Sequence, residues 1–132
     1  MNFKNYKIDE FICDLASDLS SPGGGSVTAL VTALASALNS MVYSFTIDKK
    51  TFESLNSEQK EKMIKLSEES KVLIQEALVY MDKDRDAFTS LMDCYKLPKE
   101  TDDDKKIRGE KILENTIVSM NVPLELAEKA IK

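Results

Sequence analysis

From Leu19 to Ile47 the chain carries no Asp, Glu, Lys or Arg, although these residues make up 31% of its 132 positions. A segment of that length belongs either at the buried centre of a helical bundle or in a membrane. Its composition selects the bundle. Leu30, Leu34, Leu38 and Val42 form one row at four-residue spacing. Ala29, Ala33 and Ala37 form the next, and Thr28, Thr32, Ser36, Ser40 and Ser44 a third. Small residues on adjacent rows let other helices come close. The hydroxyls in register, Asn39 and the lack of a second such segment argue against lipid. The spacing predicts a helix over 26–45, buried on all sides, and no membrane span.

Three of the four glycines open this segment, in the row Pro22-Gly23-Gly24-Gly25-Ser26. A glycine row strips side chains from the backbone, so a ligand can reach the amides. Just before a helix, those amides meet the positive end of the helix dipole, which suits an anion or a polarised oxygen. The plainer reading is a tight turn between packed helices, but three consecutive glycines exceed what a turn needs, which favours ligand contact. A phosphate-binding P-loop is excluded, because no Gly-Lys-Ser/Thr follows and no strand precedes.

The remaining elements also read as helices. Ile8, Phe11, Ile12, Leu15 and Leu19 give one apolar face of a first helix, broken at Ser20-Ser21-Pro22. Asn56-Ser57-Glu58-Gln59 has the form of a capping box. Behind it Met63, Leu66, Ser70, Leu73, Ala77, Met81, Asp84, Phe88, Leu91 and Tyr95 alternate steps of three and four, a single inward stripe. Leu97-Pro98-Lys99 interrupts it. Thr101 is placed as the next N-cap, with Asp102, Asp103 and Asp104 in the first turn. Pro123 either starts a new helix or kinks a continuing one. Leu124, Leu126, Ala127, Ala130 and Ile131 keep helical spacing up to Lys132, where no cap closes the element. The fold expected is all-α, an antiparallel bundle of long helices in a single domain over 1–132.

Composition removes several chemistries. There is no His, so Ser-His-Asp and Cys-His catalysis and the common zinc sites are absent. Acid–base work falls to Asp, Glu, Lys, Tyr or water. The net charge of -5, with no basic run, argues against binding nucleic acid or an anionic membrane. Two distant cysteines, Cys13 and Cys94, are expected as reduced thiols in a cytoplasmic protein, and no secretory signal is visible.

Asp84 is the outstanding side chain. It stands seven residues from both Ala77 and Leu91, so it points with them into the helix interface. Burial there should disfavour its ionised form, the environment from which a general acid or base is made. A structural Asp satisfied by a neighbouring cation or hydroxyl is the competing reading. Lys99 and Arg108 read either as surface charges or as partners for a carboxylate-bearing ligand.

Taken in order, Pro-Gly-Gly-Gly-Ser before a small-residue helix, Asp84-x-x-Ala87-Phe88, Leu97-Pro98-Lys99, Arg108 and Val122-Pro123-Leu124 resemble the cyclodeaminase/cyclohydrolase family, over about Phe11 to Ala127. The resemblance implies an all-helical, homodimeric enzyme acting on a tetrahydrofolate. One activity closes 5-formiminotetrahydrofolate to 5,10-methenyltetrahydrofolate and releases ammonia. The other adds water to the methenyl bridge and yields 10-formyltetrahydrofolate. Asp84 matches the family's catalytic aspartate. Gly23, Gly24, Gly25 and Ser26 would orient the pterin or one-carbon unit, and Lys99 and Arg108 would pair with the glutamate carboxylates of the tail. No metal or redox cofactor is implied. Asn115 and Ser119 stand where the family commonly has smaller residues. The family also continues well past the equivalent of Lys132, so the domain is expected to be truncated. The alternative is a noncatalytic folate-binding or dimerisation module of the same fold.

Overall fold

In the computed structural model, which describes residues 2–131, five helices and one 3-10 turn account for the architecture, with no strand among those residues. The turn Phe3–Asn5 precedes α1 (Ile8–Leu15), α2 (Gly24–Thr46), a single-turn α3 (Lys50–Glu53), α4 (Ser57–Tyr95) and α5 (Asp102–Ile131). The expected run to Lys132 is therefore seen through Ile131, Lys132 itself lying outside the described residues.

Local chemistry sets the boundaries. Asn56 Oδ1 accepts from the Gln59 N–H at 2.9 Å, and Gln59 Oε1 accepts from the Asn56 N–H at 3.1 Å, closing the box that starts α4. Thr101 and Asp104 make the same reciprocal pair at α5, at 3.0 and 3.1 Å. α1 is shorter than its apolar face suggests. The Ser17 hydroxyl donates to the Asp14 carbonyl at 2.6 Å and accepts from the Leu19 N–H at 3.2 Å, a local turn that competes with further helix. α5 runs unbroken through Pro123, so of the two alternatives it is the continuing helix, not a new one, that is seen there.

α2 and α4 lie antiparallel, with Ser26 beside Met81 and Asp84 at one end and Ser36, Asn39 and Tyr43 beside Leu66 and Ser70 at the other. α5 returns along α4. Ser119 donates to the Ala87 carbonyl, Tyr80 donates to Glu125, and Lys129 pairs with Glu76 at 2.9 Å. The N-terminal turn docks on α4, where the Phe3 N–H donates to Asp82 Oδ1 at 2.8 Å and Arg85 lies over the Phe3 ring. The core gathers Phe3, Phe11, Ala29, Ala33, Ala77, Tyr80, Met81 and Leu126.

Two expectations change. α2 is not buried on all sides. Its small rows face α4, with Ser26, Ala29, Ala33 and Ser36 buried, whereas Leu34, Leu38 and Phe45 are 57%, 60% and 72% exposed. Small side chains win that face because they allow the closest backbone approach; of the leucine row only Leu30 packs against the core, and Leu34, Leu38 and Val42 are left outside this chain's own packing. The hydroxyls of Thr28, Thr32 and Ser36 each donate to the carbonyl four residues back, so their position inside an apolar helix leaves no orphan group.

The inward stripe of α4 also ends early. Ala77 and Met81 are buried, but Phe88 and Tyr95 are exposed while Ala87 and Cys94 are buried instead. α2 begins opposite Asp84, so beyond that point α4 turns its buried side toward α5.

Candidate active site

Asp84 stands where the first turn of α2 meets the middle of α4. Gly23 is the N-cap of α2 in extended conformation, and Gly24, Gly25 and Ser26 form its first helical positions. The helix thus starts two residues earlier than its spacing suggests, and two of the three glycines are inside it. No glycine takes a positive φ, so left-handed backbone is not what they supply.

Their environments differ. A Cβ on Gly23 or Gly24 would meet nothing, whereas a Cβ on Gly25 would overlap the Asp84 carboxylate, Oδ1 first. Gly25 therefore makes room for a carboxylate pressed against the backbone of α2. Gly23 and Gly24 leave an open approach to the first-turn amides, which have no intrahelical acceptor. Asp84 thus lies against the N-terminal turn of α2, the positive end of its dipole.

Ser26 is fully buried, and its hydroxyl lies 2.9 Å from the Met81 carbonyl and 3.0 Å from Asp84 Oδ2. In this chain it therefore bonds to the carboxylate rather than presenting an open face to a ligand. Asp84 itself is half-buried, less enclosed than its stripe position implies. The adjacent acids have separate tasks. Asp82 and Asp86 pair with Arg85 at 2.9 and 2.7 Å, which leaves Asp84 as the carboxylate turned toward the glycine row.

The two expected cations are not beside Asp84. Eleven residues of α4 separate Asp84 from Tyr95, roughly 17 Å at the helical rise. Arg108 meets α4 at that far end, with Nη2 3.3 Å from the Tyr95 carbonyl and the guanidinium over the Tyr95 ring. Its Nε is buried without a hydrogen-bond partner, an unusual state for a charged group. Lys99 lies exposed in the turn beyond α4, its backbone N–H donating to Glu100. The Ser21 hydroxyl, two residues before the glycine row, is also buried and unpartnered. Sequence reading missed it because Ser20-Ser21-Pro22 looked only like a helix break.

Asn115 and Ser119, the two departures from the expected pattern, are both accommodated. Asn115 donates to the Lys111 carbonyl within α5, and Ser119 ties α5 to α4. A groove of about 870 Å³ lies at the opposite end of α2 and α4, lined by residues that include Ser36, Tyr43, Leu66, Ser70 and Lys129. It contains neither Asp84 nor any glycine. This groove is therefore separate from the contact between Asp84 and the glycine row.

A family model described as formiminotransferase-cyclodeaminase matches residues 7–132. Methenyltetrahydrofolate cyclohydrolase from Methylorubrum extorquens is 36% identical over 120 residues, covering 91% of this chain and 56% of that protein. Formimidoyltransferase-cyclodeaminase from Mus musculus is 33% identical over 118 residues, covering 89% of this chain and 21% of that one. The crystal structure of formiminotetrahydrofolate cyclodeaminase from Thermotoga maritima is similar with a TM-score of 0.64 and 25% identity, over 96% of this chain and 60% of the other. The chain thus spans little more than half the length of the first of these relatives.

Proposed function

The chain belongs to the formiminotransferase-cyclodeaminase family, and from that membership we propose that it acts on a one-carbon tetrahydrofolate, as a formiminotetrahydrofolate cyclodeaminase or a methenyltetrahydrofolate cyclohydrolase. The observation that carries this reading is Asp84, held by Ser26 and laid against Gly25 at the amide-rich start of α2.

Both reactions pass through a tetrahedral carbon between N5 and N10, and both need a proton delivered to the departing nitrogen. In the cyclodeaminase direction N10 attacks the formimino carbon, the Asp84 carboxylate accepts the N10 proton, and the same proton goes to the departing ammonia. In the cyclohydrolase direction water attacks the methenyl carbon and Asp84 takes one of its protons; the C–N5 bond then breaks as Asp84 gives that proton to N5, the remaining hydroxyl proton is released to solvent as the C=O forms, and the formyl group stays on N10. No oxidation state changes, so neither route calls for a redox cofactor. The Gly24 and Gly25 amides are suited to the developing negative charge or to a pterin oxygen. Arg108, with its unpartnered Nε, is the better candidate for the glutamate carboxylates; exposed Lys99 is a secondary one.

The same reading includes a homodimer and a cytoplasmic location. The dimer is supported by Val31, Leu34, Leu38, Met41 and Phe45, an exposed row alternating steps of three and four on a helix with no charge. Antiparallel pairing of two such rows opposes the helix dipoles and brings no like charges together. The cytoplasmic location rests on two free cysteines, Cys13 and Cys94. α2 also has the length and apolarity to cross a membrane, but its small-residue face is packed on α4, which supports the bundle reading.

Supplying 5-formiminotetrahydrofolate and, separately, 5,10-methenyltetrahydrofolate tests the proposal. Release of ammonia with appearance of methenyl absorbance identifies the cyclodeaminase. Loss of methenyl absorbance above the buffer rate identifies the cyclohydrolase. Folate binding without either change would identify a noncatalytic module.

A further inference from the structure

Ser26 has one hydroxyl proton and two acceptors, the Met81 carbonyl at 2.9 Å and Asp84 Oδ2 at 3.0 Å. While Asp84 is ionised the hydroxyl cannot donate fully to both. A proton on Oδ2 resolves the competition. The carboxyl O–H then donates to Ser26 Oγ, and Ser26 donates to Met81, so both contacts become complete hydrogen bonds at the same heavy-atom positions.

We propose that Ser26 is a positioning residue that lets Asp84 gain and lose a proton without moving, by reversing one hydrogen bond against the Met81 carbonyl. Three observations carry it. Ser26 has no exposed surface, so water cannot substitute for either partner. Met81 is 2% exposed, which fixes the carbonyl end of the relay. Gly25, beside Ser26 in the first turn of α2, also packs against the carboxylate, so the two residues together hold Asp84 to α2 when its proton state changes. The catalytic consequence rests on the folate reading; the hydrogen-bond reversal does not.

The substitution Asp84→Asn mimics the protonated carboxyl, because an amide N–H there can donate to Ser26 while Ser26 donates to Met81. A thermal cycle of the full chain, Ser26→Ala, Asp84→Asn and the double variant, therefore reads the reversal directly. Ser26→Ala should lower Tm in both backgrounds, and by about 2–4 °C more in the Asp84→Asn background, where two complete bonds depend on the hydroxyl. Equal losses would show that Ser26 serves only Met81. A smaller loss in the Asp84→Asn background would show that it serves only an ionised carboxylate. Either result overturns the proposal. In turnover assays Ser26→Ala should lower kcat roughly tenfold or more with KM unchanged, as a loss of proton-transfer geometry requires. An unchanged kcat would overturn the catalytic part. A wild-type chain that turns over neither folate would refute the functional reading, and the thermal cycle would still decide the reversal.

Discussion

Gly25 and Asp84 occupy each other's space: the Asp84 carboxylate lies where a side chain at position 25 would begin. This contact ties the start of α2 to the middle of α4, between residues 59 positions apart in the chain. It also separates the three glycines by role. Gly25→Ala should cost about 1–3 kcal/mol through overpacking, read as a lower denaturation midpoint. Gly24→Ala, facing open space inside a helix, should be neutral or stabilise by up to about 1 kcal/mol. Equal effects of the two substitutions would contradict the geometry.

Arg108 and Lys99 should separate in the same way. Arg108 has a buried, unpartnered Nε, and Lys99 is in solvent. Arg108→Ala should raise KM roughly 10- to 100-fold for a folate carrying its glutamate, with kcat little changed, as expected for loss of one charged hydrogen bond. Lys99→Ala should change KM by less than about threefold, the scale of an exposed pair. A folate analogue lacking the glutamate should erase the difference between wild type and Arg108→Ala.

The leucine row of α2 gives a test of assembly. Light scattering should report twice the 14.8 kDa chain mass for the wild type. Leu38→Glu, placing a charge at the centre of an uncharged seam, should return the protein to single-chain mass. Leu38 is 60% exposed in the chain, so the fold of each copy should survive, with unchanged helicity by circular dichroism. A wild-type protein of single-chain mass would refute the dimer.

The helical organisation was legible because breakers and caps are local. Ser20-Ser21-Pro22, Asn56 with Gln59, Leu97-Pro98-Lys99 and Thr101 with Asp104 each act over a few residues, and each falls at or near an observed boundary. Asp84 stood out because a charge inside an apolar period is visible in one dimension. The rest required knowing which helix lies against which face. Periodicity shows that α2 has an alanine row and a leucine row, but not that the alanines take the contact with α4. Nor does it show that α4 changes partner after Asp84, which leaves Phe88 exposed and buries Ala87. The division of labour among the glycines was illegible for the same reason, since only the approach of α4 distinguishes Gly25 from its neighbours.

Tyr80 supplies a prediction in pH. Burial first, and then its hydrogen bond to Glu125 and the charge of Glu125 and Glu76, hold the phenol above its ordinary value of 10.0. The folded state therefore binds that proton more tightly than the unfolded chain. Its contribution to stability is complete below about pH 10 and is lost as the pH rises through the higher folded value. Denaturation midpoints followed from about pH 8 to 11 should fall more steeply for the wild type than for Tyr80→Phe. Parallel curves would show that Tyr80 does not govern the alkaline limb.

Asp84 is proposed to move the proton in a one-carbon folate reaction. Its most direct test is the rate of methenyltetrahydrofolate absorbance loss, wild type against Asp84→Asn, at matched concentration and with both proteins shown to be folded. The wild-type rate should exceed that of buffer and fall about 100- to 10,000-fold in Asp84→Asn, the usual contribution of a general acid–base group. Equal rates above buffer for the two proteins would contradict it.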